Sequence, residues 1–161
     1  MRCLDTRSRA EEYAVLGRAA ESDRDMERAY TALAAVRPGE GDMILDIAAL
    51  DIGAAGAGLS GFEGACAIAL RRAREAREAF EAGLREQTSV GRLSGLAAAF
   101  ALEDDVESAA ELLSQALDEA MRRKLPTRRR RVEGVRAAFL SHASDHPAVQ
   151  RFDERLRAAI G

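Results

Sequence analysis

Residues 89–123, SVGRLSGLAAAFALEDDVESAAELLSQALDEAMRR, decide the fold. Leu93, Leu96, Ala97 and Phe100 recur at spacings of one, three and four, and Ala109, Leu113 and Ala116 follow the same rhythm. That spacing puts each set on one face of a helix. Thr88 or Ser89 opens the first helix, which ends near Leu102. Asp104 with Glu107 caps a second, reaching about Arg123. A connection this short leaves the two helices antiparallel and in contact.

The rest of the chain agrees with this stretch. Of 161 residues, 34 are alanine, against seven valines, five isoleucines and four threonines. Alanine is the best helix former and β-branching favours strands, so the composition predicts an all-α protein. Further helices are expected over 8–21, 25–36, 42–58 and 60–86, with breaks at the polar run Ser22–Asp25 and at Arg37-Pro38-Gly39. Ser60-Gly61-Phe62-Glu63 reads as a capping box for the long fourth helix. Leu125-Pro126-Thr127 breaks the sixth, a seventh spans about 128–142, and His146-Pro147 starts the eighth with proline in the favoured first turn.

The helices pair in a repeating pattern. Ala29 aligned on Ala109 brings Tyr13, Leu16, Gly17, Ala20, Leu33 and Val36 onto Leu93, Leu96, Ala97, Phe100, Leu113 and Ala116. A middle pair around Ala65 fits less fully, with Arg72 at its last position. Ala29 and Ala109 are expected where two helices cross. This pattern resembles the tetratricopeptide repeat over residues 8–123, with repeat spacings of 36 and 44 residues. The resemblance implies an array of three helical hairpins, with two capping helices in 124–161, in a single domain over 1–161. The order ESAAELLSQALDEA, a break, an arginine-rich helix and then HASDHPAVQRFDERLRAAI also resembles the C-terminal repeat domain of XRE-type helix-turn-helix regulators of high-GC bacteria. That resemblance implies sensing or oligomerisation, including homo-oligomers. Residues 1–21 are too few for the DNA-binding domain of that family, so no recognition-helix residue carries over.

Charge is unevenly spread. Residues 122–161 carry +7 and residues 1–121 carry −10, within a net −3. Arg122, Arg123, Lys124, Arg128, Arg129, Arg130 and Arg131 put seven cations into ten positions. Four fall in the first turn of the seventh helix, where the helix dipole already supplies positive charge and each added cation costs about 0.3–1 kcal/mol. The cluster is therefore a candidate patch for an acidic partner. Overall acidity and the absence of neighbouring aromatics weigh against nucleic acid. A groove on the first helix of each pair is the second candidate, with Asp46, Asp51 and Tyr13 as its contact residues.

Nothing in the chain spells a catalytic or cofactor motif. Cys3 and Cys66 are too far apart for a CxxC site and read as reduced thiols of a cytoplasmic protein. His142 and His146 are separated by a turn, so no metal is expected. AGAGLSG lacks both the preceding strand and the GK[ST] ending of a phosphate loop. No secretory signal or membrane span is expected. The sequence reads as a protein or peptide interaction module, regulatory in role. The alternative is a small-molecule-binding protein or enzyme with its pocket beside helix 42–58, using Asp46 or Asp51.

Overall fold

A computed structural model describes residues 2–34, 52–124 and 126–159, with side chains at 9–31, 60–124, 126 and 128–159. Every regular element among these residues is a helix. They run α1 (Arg2–Val15), α2 (Ala19–Ala34), α3 (Ile52–Ala69), α4 (Ala73–Glu86), α5 (Val90–Leu102), α6 (Val106–Arg122), α7 (Pro126–Phe139), a short 3₁₀ turn (Ser141–Ala143) and α8 (Pro147–Ala158). The protein is all-α over the described residues.

Three turns are built alike. Gly17, Arg71 and Asp104 each adopt a left-handed backbone, with φ of 71°, 56° and 65°. The next N–H in each case reaches back five residues: Arg18 to Tyr13 O at 2.8 Å, Arg72 to Ala67 O at 2.8 Å, and Asp105 to Phe100 O at 3.0 Å. The left-handed residue's own N–H bonds the carbonyl three before it, at Ala14, Ile68 and Ala101. These are Schellman closures, which satisfy the last carbonyls of one helix and turn the chain into the next. They make hairpins of α1–α2, α3–α4 and α5–α6.

Position relative to the left-handed residue now sets the packing. Seven before it stand Ala10, Gly64 and Ala97. Five after it stand Ser22, Ala76 and Ala109; nine after, Met26, Phe80 and Leu113; twelve after, Ala29, Gly83 and Ala116. All twelve are buried. Small residues let the paired helices approach, and the one large residue fills the gap towards the neighbouring hairpin.

Several sequence expectations are corrected by this geometry. The first break falls at Leu16-Gly17-Arg18, and Ser22–Asp25 lies inside α2. That polar run does not end the helix because Ser22 and Asp25 face inward, where Asp25 takes ion pairs from Arg9 and Arg28 at 3.1 and 2.9 Å. The helix expected over 60–86 is two helices, parted at 70–72, and the supposed capping box is interior to α3. Of the helix expected over 42–58, residues 42–51 lie outside the described residues, and 52–58 belong to α3. The cap of α6 is Asp105, which accepts the Ser108 N–H at 3.0 Å; Asp104 is the left-handed turn residue. In the first hairpin the register differs from the sequence alignment by seven positions. Ala29 matches Ala116, Ser22 matches Ala109, and Leu16 sits on the turn with 69% exposure. In the second hairpin Ala76, not Ala65, holds the place of Ala109. Ala29 and Ala109 are both 0% exposed.

The helices stack in order. First helices pack side by side, α1 on α3, α3 on α5 and α5 on α7, while α8 lies on α6. The largest core gathers Leu113, Val132, Leu140, Val149 and Phe152 where α5, α6, α7 and α8 meet. Arg136 and Asp153 tie α7 to α8 through two bonds of 2.9 and 2.7 Å. The N-terminal hairpin has a smaller core of Ala10, Ala14, Met26 and Cys66. Arg72 also holds it to α4 by gripping Asp23 at 2.7 and 3.1 Å.

Candidate functional site

Among the clefts of the described surface are two that bring together side chains from three or more helices. One, of about 470 Å³, opens on the face of the first helices. Glu11 of α1, Gly61, Phe62 and Ala65 of α3, and Arg128 and Arg131 of α7 form its walls; Ser89, Gly91 and Arg92 at the start of α5 and Phe80 of α4 complete it. Three local features mark the site. Gly61 leaves open space, with nothing within 4 Å of where a Cβ would stand. The Arg128 guanidinium stands 3.8 Å from where a Cβ on Gly91 would be, an ordinary contact distance. Ser89 caps α5 through the Arg92 N–H, at 3.3 Å.

Arg92 is the unusual residue. It is only 8% exposed, yet no ion pair among the described residues includes it. Its Nη1 donates to the Gln87 carbonyl at 2.7 Å and to Gln87 Oε1 at 3.3 Å, both neutral acceptors. Gly83 on α4 makes room for it, since a Cβ there would meet Arg92 Nε at 2.9 Å. A buried cation without a counter-charge is costly, and this one lines an open cleft.

The seven-cation cluster divides in the fold. Arg122 and Arg123 both pair with Glu119, and Arg129 pairs with Glu133 at 3.3 Å. Lys124 is the left-handed residue that closes α6, with φ of 53°, and it is exposed like Arg130. Arg128 and Arg131 turn to the cleft and have no carboxylate partner among the described residues. The cluster is thus not one patch: two of its seven members converge on Arg92, which the sequence does not single out.

Tyr13 is not in this cleft. It is partly buried at the first turn, with the Arg18 guanidinium 4.7 Å above its ring. Asp46 and Asp51 lie outside the described residues.

The second cleft, of about 600 Å³, lies between α2, α3 and α4. Its rim is acidic, with Asp23, Glu27, Glu63, Glu75 and Glu78, and Met26 and Cys66 lie beneath. Asp23 and Glu75 are engaged by Arg72, and the Tyr30 hydroxyl donates to Glu63 Oε2 at 2.6 Å. Burial, and then the Glu63 charge, push the Tyr30 phenol up. Burial likewise pushes the Cys66 thiol up, against a smaller opposing pull from the Ser22 hydroxyl. A raised thiol is mostly protonated near neutrality and is a poor nucleophile.

Among the described residues, no group of three or more His, Cys, Asp or Glu is arranged to hold a metal. His146 serves the helix instead, where its Nδ1 accepts the Ala148 N–H at 3.2 Å and caps α8. Among the same residues no helix is long and apolar enough to cross a membrane. The chain matches no family model, no curated protein and no solved structure.

Proposed function

We propose that the chain is a protein–protein interaction module of tetratricopeptide-like architecture that receives a peptide segment of its partner on the first-helix face. The carrying observation is the 470 Å³ cleft, whose walls come from α1, α3, α5 and α7 together. A site drawn from four successive first helices is what a stacked repeat array offers a chain laid across it. The small–x3–large–x2–small pattern repeated on α2, α4 and α6 supports the repeat reading, as do the three matching turns. A regulatory role is the form in which such a module would act.

The acidic cleft between α2, α3 and α4 supports a second reading, as a small-molecule site beside α3. It is larger, but two of its carboxylates are held by Arg72 and a third accepts from Tyr30. That leaves less free chemistry than in the cleft on the first helices.

The test is selection of binders from a random-peptide display library, followed by affinity measurement on Gly61→Trp. Open space around Gly61 admits the indole without a clash at Cβ, and replacing glycine inside a helix favours folding. The variant is expected to keep its helical circular dichroism and to lose about tenfold or more in affinity for the selected peptides, the scale of one lost anchor contact. Peptides that bind Gly61→Trp as tightly as the parent protein would place the binding surface elsewhere.

A further inference from the structure

We infer that the partner segment is acidic, and that a side-chain carboxylate of it seats among Arg92, Arg128 and Arg131 at the start of α5. This rests on the cleft being the partner site and adds the chemistry of what enters it.

Position together with pairing sets these three arginines apart. Most arginines with described side chains find a carboxylate: Arg9, Arg18, Arg28, Arg72, Arg74, Arg77, Arg122, Arg123, Arg129, Arg136 and Arg155 all do. In a protein with 27 acidic residues this is expected. Nine have none among the described residues: Arg24, Arg71, Arg85, Arg130, Arg151 and Arg157 are exposed and line no part of this cleft, whereas Arg92, Arg128 and Arg131 stand around it. Two come from α7 and one from α5, so the fold, not the local charge run, brings them together. Among the described residues Glu11 is the one acid on the cleft wall, and no ion pair joins it to them.

Burial makes the arrangement specific. Arg92 is over nine-tenths buried, and its guanidinium donates to neutral oxygens of Gln87. An entering carboxylate supplies the charge that its desolvation lacks, and the planar guanidinium offers a bidentate fork to meet it. The first turn of α5 adds to this. Its leading N–H groups have no partner within the helix, and Gly91 puts no side chain in front of them. Arg128 and Arg131, at the rim, draw acidic segments in by their longer-range field. Phe62, partly exposed on the wall, gives the aliphatic stems of Glu residues an apolar surface.

The experiment is fluorescence anisotropy with labelled hepta-glutamate and, as its neutral counterpart, hepta-glutamine, at about 0.15 M salt, where charges more than roughly 8 Å apart are screened. Hepta-glutamate is expected to bind saturably and hepta-glutamine not to. Arg128→Gln/Arg131→Gln, which alters only exposed side chains, should weaken binding about tenfold, the combined worth of two ion pairs. Arg122→Gln/Arg123→Gln removes the same charge from cations already held by Glu119 and should leave binding within about twofold. Arg92→Gln should weaken binding most; if it fails to fold, the exposed pair still decides.

Equal losses in the two double variants would reduce the effect to net charge and overturn the inference. So would tighter, Arg128- and Arg131-dependent binding of a single-stranded oligonucleotide. Displacement of the peptide by inorganic phosphate alone at about millimolar concentration would make the seat a free-anion site and overturn the peptide assignment. Library-selected peptides that require an open Gly61 but show no enrichment in Asp or Glu would leave the cleft as the partner site while refuting the acidic partner.

Discussion

Phe80→Ala is expected to lower the unfolding free energy by about 3–5 kcal/mol, the usual cost of removing a buried phenyl ring. Phe80 is the large residue of α4, nine positions after the Arg71 turn. Its ring packs with Ala67, Ala76, Leu96 and Ala99, so it joins α3, α4 and α5 at once. The small neighbours have no reach to fill the void it would leave, which puts the cost towards the upper part of the range. Urea titration followed by circular dichroism reads it directly. A loss below about 1 kcal/mol would mean that the ring does not organise the junction between the second and third hairpins.

Gly95→Ala is expected to cost about 1–3 kcal/mol, the range for overpacking a closed core, although alanine is the better helix former. A Cβ at Gly95 would stand 2.6 Å from Phe80 Cε2, with two other ring carbons closer still. The ring has no retreat, because on α3 a Cβ at Gly64 would also meet it at 2.6 Å. The two glycines therefore leave the slot that the phenyl ring fills. Gly61→Ala, one turn away on α3 in open space, should instead stabilise by about 0.5–1 kcal/mol. In a Phe80→Leu background the Gly95→Ala penalty should shrink, since the groups touch and their effects couple. Identical changes in the two backgrounds would contradict the contact.

What the sequence discloses depends on which devices leave a local trace. The α5–α6 hairpin is legible because Ser89 and Asp105 are side-chain caps beside regular apolar faces; only the choices between Thr88 and Ser89 and between Asp104 and Asp105 need the structure. The start of α8 is legible through His146-Pro147. The turn at Leu70-Arg71-Arg72 is not. Its left-handed residue is an arginine, and a Cβ in that conformation costs roughly 1–2 kcal/mol that no residue preference announces. Gly17 is visible in the sequence but aligns there as a packing residue, although it is the turn; the same confusion displaces the alignment of α1 and α2 by seven positions. Ser22–Asp25 looks like a loop because inward polar residues are rare and Arg9, one of Asp25's two partners, lies sixteen positions away.

The site is half legible for a related reason. Arg128 and Arg131 stand out as members of a charge run, but the run does not show which members Glu119 and Glu133 claim. Arg92 is a lone arginine in an alanine-rich helix, a pattern normally met at the surface. The signal that buries it is Gly83, twelve residues after the Arg71 turn, and that relation exists only once the turn is placed.

The central claim is that the first-helix face receives the partner, and amide chemical-shift mapping on the ¹⁵N-labelled protein tests it most directly. On titration with a library-selected peptide, the largest shifts are expected at Gly61, Ala65, Gly91 and Arg92, around the 470 Å³ cleft. Asp23, Cys66 and Glu78, around the acidic cleft on α2, α3 and α4, should stay nearly still. Shifts concentrated at Asp23, Cys66 and Glu78 instead, with Gly91 and Arg92 unmoved, would contradict the account.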